Sequence, residues 1–489
     1  MSGKRLNRRD FLRMSTLTAA SAILAACSKP TAEVIKETVK ETVEVPVEKT
    51  VKETVQVSVE KNVVITATPP PPAEVTMQYW MPSCDTQCWE PHQGWTVKYS
   101  EMHPNIKWEF KGQGWADFWK KLPLDLAAGT GPDMWWHHIF MTSLAVDGHI
   151  EPLPDEMVKQ LRETHDRIDS HIINGRLYSF DEGVMFGLVY YNKQMWKDAG
   201  LTENDYPKTW ADLAEIAKAL TVKDSTGQIQ RAGFIPEVSS LWIALKYMAG
   251  EFNFNEGGTK VYINTEGGKQ AAQMILDFIK KDQIFSEKMP LGNEAFRAGL
   301  AAMAYNFTWF TGDLHDLSPD LEYGVFNPPT LDGKVAPAYD RGNTEATSVV
   351  SSHTTLEKKL IGLDFIKWYT NDPDIMKQRA KIGVAPVLKS IQKDPDLLAD
   401  QDVAALLREV DRTVWMGYPP MYEESNATDI ADAVIMSGTM TVEEGLKASQ
   451  KRIQEAIDDR MLAGDPVYWG YQEHTYSHKD ELHIPELLE

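Results

Sequence analysis

Cysteine is scarce, with three in 489 residues. So few cannot staple the chain into a disulfide framework, and stability has to come from ordinary packed cores. Positive charge is also in deficit: 50 lysines and arginines stand against 71 aspartates and glutamates, a formal net charge of −21. Removing residues 1–26, which carry five basic side chains and one acidic, takes the remainder to −25. A surface so acidic repels phosphate backbones and anionic lipid, which argues against nucleic-acid binding. The sequence also lacks anything like a nucleophile elbow or a glycine-rich phosphate loop. What is present is a globular mixture, 43% hydrophobic and 25% charged, long enough for two or three domains and rich in tryptophan (15) and tyrosine (17).

The N-terminus reads as an address. A basic segment precedes a stretch free of charge between Met14 and Ala26, too short to span a bilayer core of about 30 Å but suited to a signal sequence. Arg8-Arg9-Asp10-Phe11-Leu12-Arg13 resembles the twin-arginine export signal, and Leu24-Ala25-Ala26-Cys27 resembles a lipobox. The resemblance implies cleavage before Cys27, acylation of its thiol, and a mature protein held by lipid at the extracytoplasmic face of the membrane. Residues 1–27 are thus expected to be a signal peptide and 28–74 a tether. Within the tether TVKETVEVPVEK (38–49) is followed by TVKETVQVSVEK (50–61), a twelve-residue repeat, and then by ITATPPPP. Two copies are too few for a solenoid, and the proline run favours extended backbone. A solvated spacer is expected, reaching at most about 150 Å, although the Val/Thr alternation could pair as strands with other copies.

From Val75 short β-rich runs alternate with amphipathic stretches, the order of a parallel α/β sheet. VTMQYW (75–80), IKWEFKG (106–112) and DMWWH (133–137) are expected strands, with helices between them. Asn174-Gly175 predicts a hairpin turn. VMFGLVYYN (184–192), MAYNF (303–307), EYGVF (322–326) and ATSVV (346–350) are further strands. Helices are expected from Thr209 (with Asp212 in capping position), over 266–281, over 356–369 with Thr354 and Glu357 as a capping box, and from Thr441 with Glu444.

Seven segments then carry a resemblance in their order: LAAGTGPDMWW (126–136), NGRLYSFDEG (174–183), LVYYNKQMWKDAGL (188–201), YPKTWADLAEIAKAL (206–220), AFRAGLAAMAYNFTWF (295–310), YGVFNPPT (323–330) and AKIGVAPV (380–387). Together they resemble the extracellular solute-binding proteins of ABC importers, in the branch of maltose-binding and other sugar-binding lipoproteins. The resemblance implies the type II periplasmic-binding-protein fold, two α/β lobes joined by a hinge, over residues 75–489. Lobe one is expected at about 75–182 and 295–338, and lobe two at about 188–290 with parts of 347–460. The crossings are expected near 181–187, 295–310 and 335–346. No cofactor and no catalysis are implied; the partners are a small solute and the permease subunits.

Sugars present flat apolar faces with polar rims, so their sites pair aromatic rings with hydrogen-bonding groups, placed at the carboxyl ends of strands. These rules select Ser83 and Asp85, Trp115, Trp136 with His137 and His138, and Glu182 in the first half. In the second half they select Glu237, Trp242, Asp340, Arg341, Tyr422 and Asn426. Trp309 matches the family position at which an aromatic ring stacks on the ligand. Of Trp135 and Trp136, strand alternation is expected to send one inward and one towards the ligand. Cys84 and Cys88 are read as a local disulfide or free thiols, or, with His137 and His138, as a zinc site of a secreted metal-dependent enzyme. A polyamine, peptide or metal chelate is the alternative ligand within the same fold.

Overall fold

The computed structural model describes residues 73–475 apart from 84–88, 138–141, 167, 169–171, 174, 256–258, 291, 337–339, 342, 416–437 and 463–473. The first half contributes β1 (Val75–Ser83), β2 (Ile106–Gly114), β3 (Met134–Trp135), the hairpin β4 (Ile172–Ile173) and β5 (Arg176–Leu177), β6 (Asp181–Met185) and β7 (Gly187–Asn192). Then come the hairpin β8 (Val222–Lys223) and β9 (Ile229–Arg231), β10 (Ile235–Pro236), β11 (Met303–Phe307) and β12 (Tyr323–Phe326). The last strands are β13 (Asp340–Arg341), β14 (Asn343–Ala346), β15 (Val349–Val350), β16 (Thr413–Trp415) and β17 (His474–Thr475).

Two four-stranded sheets organise these strands: β15-β3-β1-β2 in lobe one and β10-β11-β7-β12 in lobe two. In lobe one β1 runs parallel to both β2 and β3, and helices cover the two faces. Met77, Tyr79 and Met134 point into one cluster, Trp80 and Trp135 into the other. This is the period-two alternation of a strand buried on both sides. Lobe two has a single large core, in which Val189, Tyr190, Ala304 and Tyr305 meet the helices Trp210–Leu220, Val238–Met248 and Glu266–Lys280.

Strand pairing corrects the expected division of the chain. β11 lies beside β7, with Tyr305 opposite Val189, and β12 pairs with β7 on its other side, so β11 and β12 belong to lobe two and the chain does not return at 295–310. It returns through β14 and enters lobe one as β15, which pairs with β3 through Val349 and Trp135. Helices Leu356–Asn371 and Pro373–Lys381 then pack on lobe one through Phe365, Ile366, Tyr369, Ile375 and Met376. A third crossing follows, because Leu397 and Val403 join the lobe-one core while Ala405 and Leu406 join that of lobe two. Helix Val442–Leu462 closes lobe two, with Gln450 and Gln454 accepting from the backbone of residues 261–264.

Several local signals act as the sequence implies. Thr209 and Asp212 form a reciprocal capping box, as do Thr441 and Glu444. The hairpin at 172–177 turns through Gly175 at φ 73°. One cap shifts by a residue. Thr355, not Thr354, caps the helix Leu356–Asn371, because the Thr354 hydroxyl is engaged by the Asp133 carboxylate.

Candidate functional site

Strand direction locates the site. In lobe two β10 and β11 are parallel and β7 antiparallel to them, so the edge where β10 and β11 end is the edge where β7 begins. In lobe one β1, β2 and β3 end where β15 begins. Since β7 and β15 are the strands entered directly from the crossings β6 and β14, the carboxyl ends of both sheets lie at the crossing side of their lobes. That is the side on which open α/β sheets bind ligands.

On the lobe-two edge, Trp309 follows β11 and is half-buried, packed on Phe307, Met185 and Val384. Its ring meets Phe310 edge-on at 6.0 Å. The neighbouring Thr308 is buried, and its amide donates to the Phe186 carbonyl at 2.8 Å. Glu237 follows β10, and its carboxylate is already engaged: one oxygen accepts from the Ser239 hydroxyl at 2.7 Å, the other from the Ser240 amide at 2.8 Å. It is the N-cap of helix Val238–Met248. The expectation for Trp242 is overturned. It is 1% exposed in the lobe-two core, and its indole N–H donates to the Gly268 carbonyl at 2.9 Å, because the second turn of this apolar helix faces inward. Asp340 and Arg341 form β13, beside β16, immediately before the returning crossing.

On the lobe-one edge, Ser83 is the last residue of β1, and Trp115 opens the helix after β2. The two tryptophans of GPDMWWHH do not divide between core and ligand. Trp135 and Trp136 are 0% and 3% exposed, and His137 is 1% exposed. β3 is an interior strand with both faces covered: Met134 lies in one core cluster, Trp135 and Trp136 both in the other, where Trp136 is 6.1 Å from the Trp119 ring. Asp85, His138, Tyr422 and Asn426 lie outside the described residues, as do Cys84 and Cys88.

Glu182 is a correction of another kind. It lies on β6 but is buried in lobe one, with one oxygen 3.0 Å from Arg379 Nη2 and 3.5 Å from His92 Nε2. The other oxygen accepts from the Tyr369 hydroxyl at 2.7 Å. Trp95 stacks on Tyr369 at 4.8 Å, and the Arg379 guanidinium lies 5.5 Å from the Trp95 ring centre. Burial alone would push the Glu182 carboxyl up; Arg379 and His92 outweigh it and hold the group below its ordinary value. Burial lowers Arg379 and raises Tyr369. Sequence reading found Glu182 but neither Arg379 nor Tyr369, since nothing in KQRAK or IKWYT marks a partner almost two hundred positions away.

Residues 95–405 match the model for bacterial extracellular solute-binding proteins. The maltotriose-binding protein of Pyrococcus abyssi is 22% identical over 63% of this chain and 66% of its own length. The arabinooligosaccharide-binding protein of Halalkalibacterium halodurans is 22% identical over 64% and 71%. In structure, a maltose/maltodextrin-binding domain from Bdellovibrio bacteriovorus bound to maltotriose superposes with a TM-score of 0.66 at 18% identity, covering 79% of this chain and all of that one. That likeness shows the fold: two hinge-linked α/β lobes of the periplasmic-binding-protein type. With its family match spanning well over half the chain, this protein belongs to the bacterial extracellular solute-binding proteins.

Proposed function

We propose that this protein captures a sugar or oligosaccharide between its two lobes and delivers it to an ABC permease, by binding and lobe closure without covalent chemistry. One observation carries the reading: both sheets bring the carboxyl ends of their parallel strands to the crossing side, and there Trp309 offers a half-buried indole face beside the hinge. Such a face suits the apolar C–H surface of a pyranose. The oligosaccharide ligands named for the maltotriose- and arabinooligosaccharide-binding relatives support the same class. Ser83, Trp115, Asp340 and Arg341 supply further positions at the same edges. Cys27 is read as the acylated residue that holds the mature protein at the outer face of the membrane, with residues 28–74 as its tether. Incorporation of a palmitate analogue that disappears in Cys27→Ser checks the anchor.

A ligand that binds only the native state raises thermal stability by mass action. Maltooligosaccharides, arabinooligosaccharides, monosaccharides, a polyamine and divalent metals screened by thermal shift and calorimetry decide the ligand class. An oligosaccharide should raise the melting temperature and lose most of that effect in Trp309→Ala. Stabilisation by the polyamine or a metal alone would reject the carbohydrate reading.

A further inference from the structure

Among the described residues three crossings join the lobes, and the buried charge cluster touches the outgoing and the returning one. Glu182 is on the outgoing strand β6. The Tyr369 hydroxyl, which donates to Glu182, also accepts from the Ser348 amide at 3.2 Å, and Ser348 lies on the returning segment just before β15. The Ser348 hydroxyl in turn bonds Tyr79 on β1, and the Thr347 amide donates to the Phe180 carbonyl at 2.8 Å. Arg379 stands in the last turn of helix Pro373–Lys381, and just beyond it Ala385 exchanges backbone hydrogen bonds with Val184 of the outgoing strand at 2.8 and 3.0 Å. Glu182, Tyr369 and Arg379 are all at most 2% exposed. The partners change abruptly two residues later. Phe186 accepts from Thr308 of lobe two, and Gly187 is packed so closely on Tyr305 that an added Cβ would sit 2.1 Å from its hydroxyl. Only Gly183 separates Glu182, held by lobe one, from Val184, whose side chain already lies in the lobe-two core.

We propose that Glu182, Tyr369 and Arg379 are positioning residues that bind the lobe-one ends of the outgoing and returning crossings into one rigid body. On the outgoing strand they confine rotation between the lobes to about residues 183–187. The inference rests on the reading that the lobes close on a ligand, but its physical content concerns the ligand-free hinge. A hinge is set by the few backbone positions free to absorb the change in φ and ψ. Fixing the strand up to Glu182 restricts those positions and therefore the range of interlobe orientations. A restricted open ensemble loses less freedom on closing, which raises affinity.

Label pairs attached through p-azidophenylalanine at the exposed Lys159 of lobe one and Ala219 of lobe two report the interlobe distance in the mature protein by pulsed electron resonance. In Tyr369→Phe, which removes one hydroxyl and leaves the Glu182–Arg379 pair, the ligand-free distribution should broaden. Affinity for the stabilising sugar should weaken about tenfold, the scale of one hydrogen bond to a charged group. Tyr79→Phe, which cuts only the link to Ser348, should broaden the distribution less, and it serves as the test if Tyr369→Phe does not fold. A lowered melting temperature with an unchanged distribution would make the cluster merely structural and overturn the proposal. If no sugar binds the unaltered protein the functional reading fails, while the ligand-free distributions still decide the hinge.

Discussion

The two ends of the outgoing crossing are built from opposite materials. On the lobe-one side β6 is held by a buried carboxylate, a guanidinium, an imidazole and a phenol. Three residues on, the lobe-two side is aromatic and aliphatic, with Phe307, Trp309, Tyr305 and Met185 in close packing. Directional bonds between charged groups specify one geometry and are costly to leave incomplete. Apolar contacts tolerate sliding and re-forming at smaller cost, and an indole at their edge can serve a ligand as well as the core. The contrast teaches that one end of this strand is made to stay and the other to yield.

The largest expected effect comes from breaking the polar end. Arg379→Met leaves Glu182 buried with its main counter-charge gone and should cost about 3–5 kcal/mol in urea unfolding at neutral pH. Its pH dependence is the sharper sign. In the unaltered protein Glu182 lies below its unfolded value, so its contribution is present above about pH 4.3 and fades as pH falls through its folded value. In Arg379→Met burial dominates and lifts the carboxyl above its unfolded value. The deficit should then be greatest at neutral pH and shrink towards pH 4, and a deficit independent of pH would contradict the assignment of charge.

The next contrast sets two tryptophans of lobe two against each other. Trp242→Ala empties a core position and should cost about 3–5 kcal/mol of stability with ligand affinity preserved in the folded fraction. Trp309→Ala should lower stability less and weaken sugar binding by about ten- to hundredfold, measured by calorimetry. A smaller effect is expected at Gly383, which packs against Thr308 of lobe two. Its φ is 93°, and an added Cβ would sit 1.8 Å from the Thr308 carbonyl oxygen. Gly383→Ala should therefore cost about 1–3 kcal/mol by thermal denaturation. The smallest is Glu237→Ala, a lost helix cap worth about 1 kcal/mol in the same measurement.

What sequence could reveal follows the range of the forces involved. The capping boxes at Thr209 and Thr441 and the hairpin at Gly175 depend on neighbours within a few positions, and they form as the residues imply. Thr354 fails as a cap for a non-local reason, since Asp133 takes its hydroxyl. MAYNF is legible as a strand, but its apolar pattern suits either sheet, and only its pairing with Val189 and Tyr190 assigns it to lobe two. The pair WW in GPDMWWHH carries an alternation, yet alternation does not say whether both faces of the sheet are covered. Chain order fixes the placement of two candidates at the crossing-side edge, Trp309 after β11 and Glu237 after β10. Glu182 and Trp242 were found by position along the chain and misread in burial, which depends on helices that arrive from elsewhere.

The cap at Glu237 has an electrostatic consequence for what can enter. The amino end of a helix concentrates unpaired N–H donors and a partial positive charge, a natural seat for phosphate or carboxylate. Here that seat, at the crossing-side edge of lobe two, is filled by the protein's own carboxylate, with both oxygens already accepting. On the proposed reading of this edge as part of the ligand cleft, an incoming anion meets a like charge in place of open donors, whereas an uncharged molecule meets no such barrier.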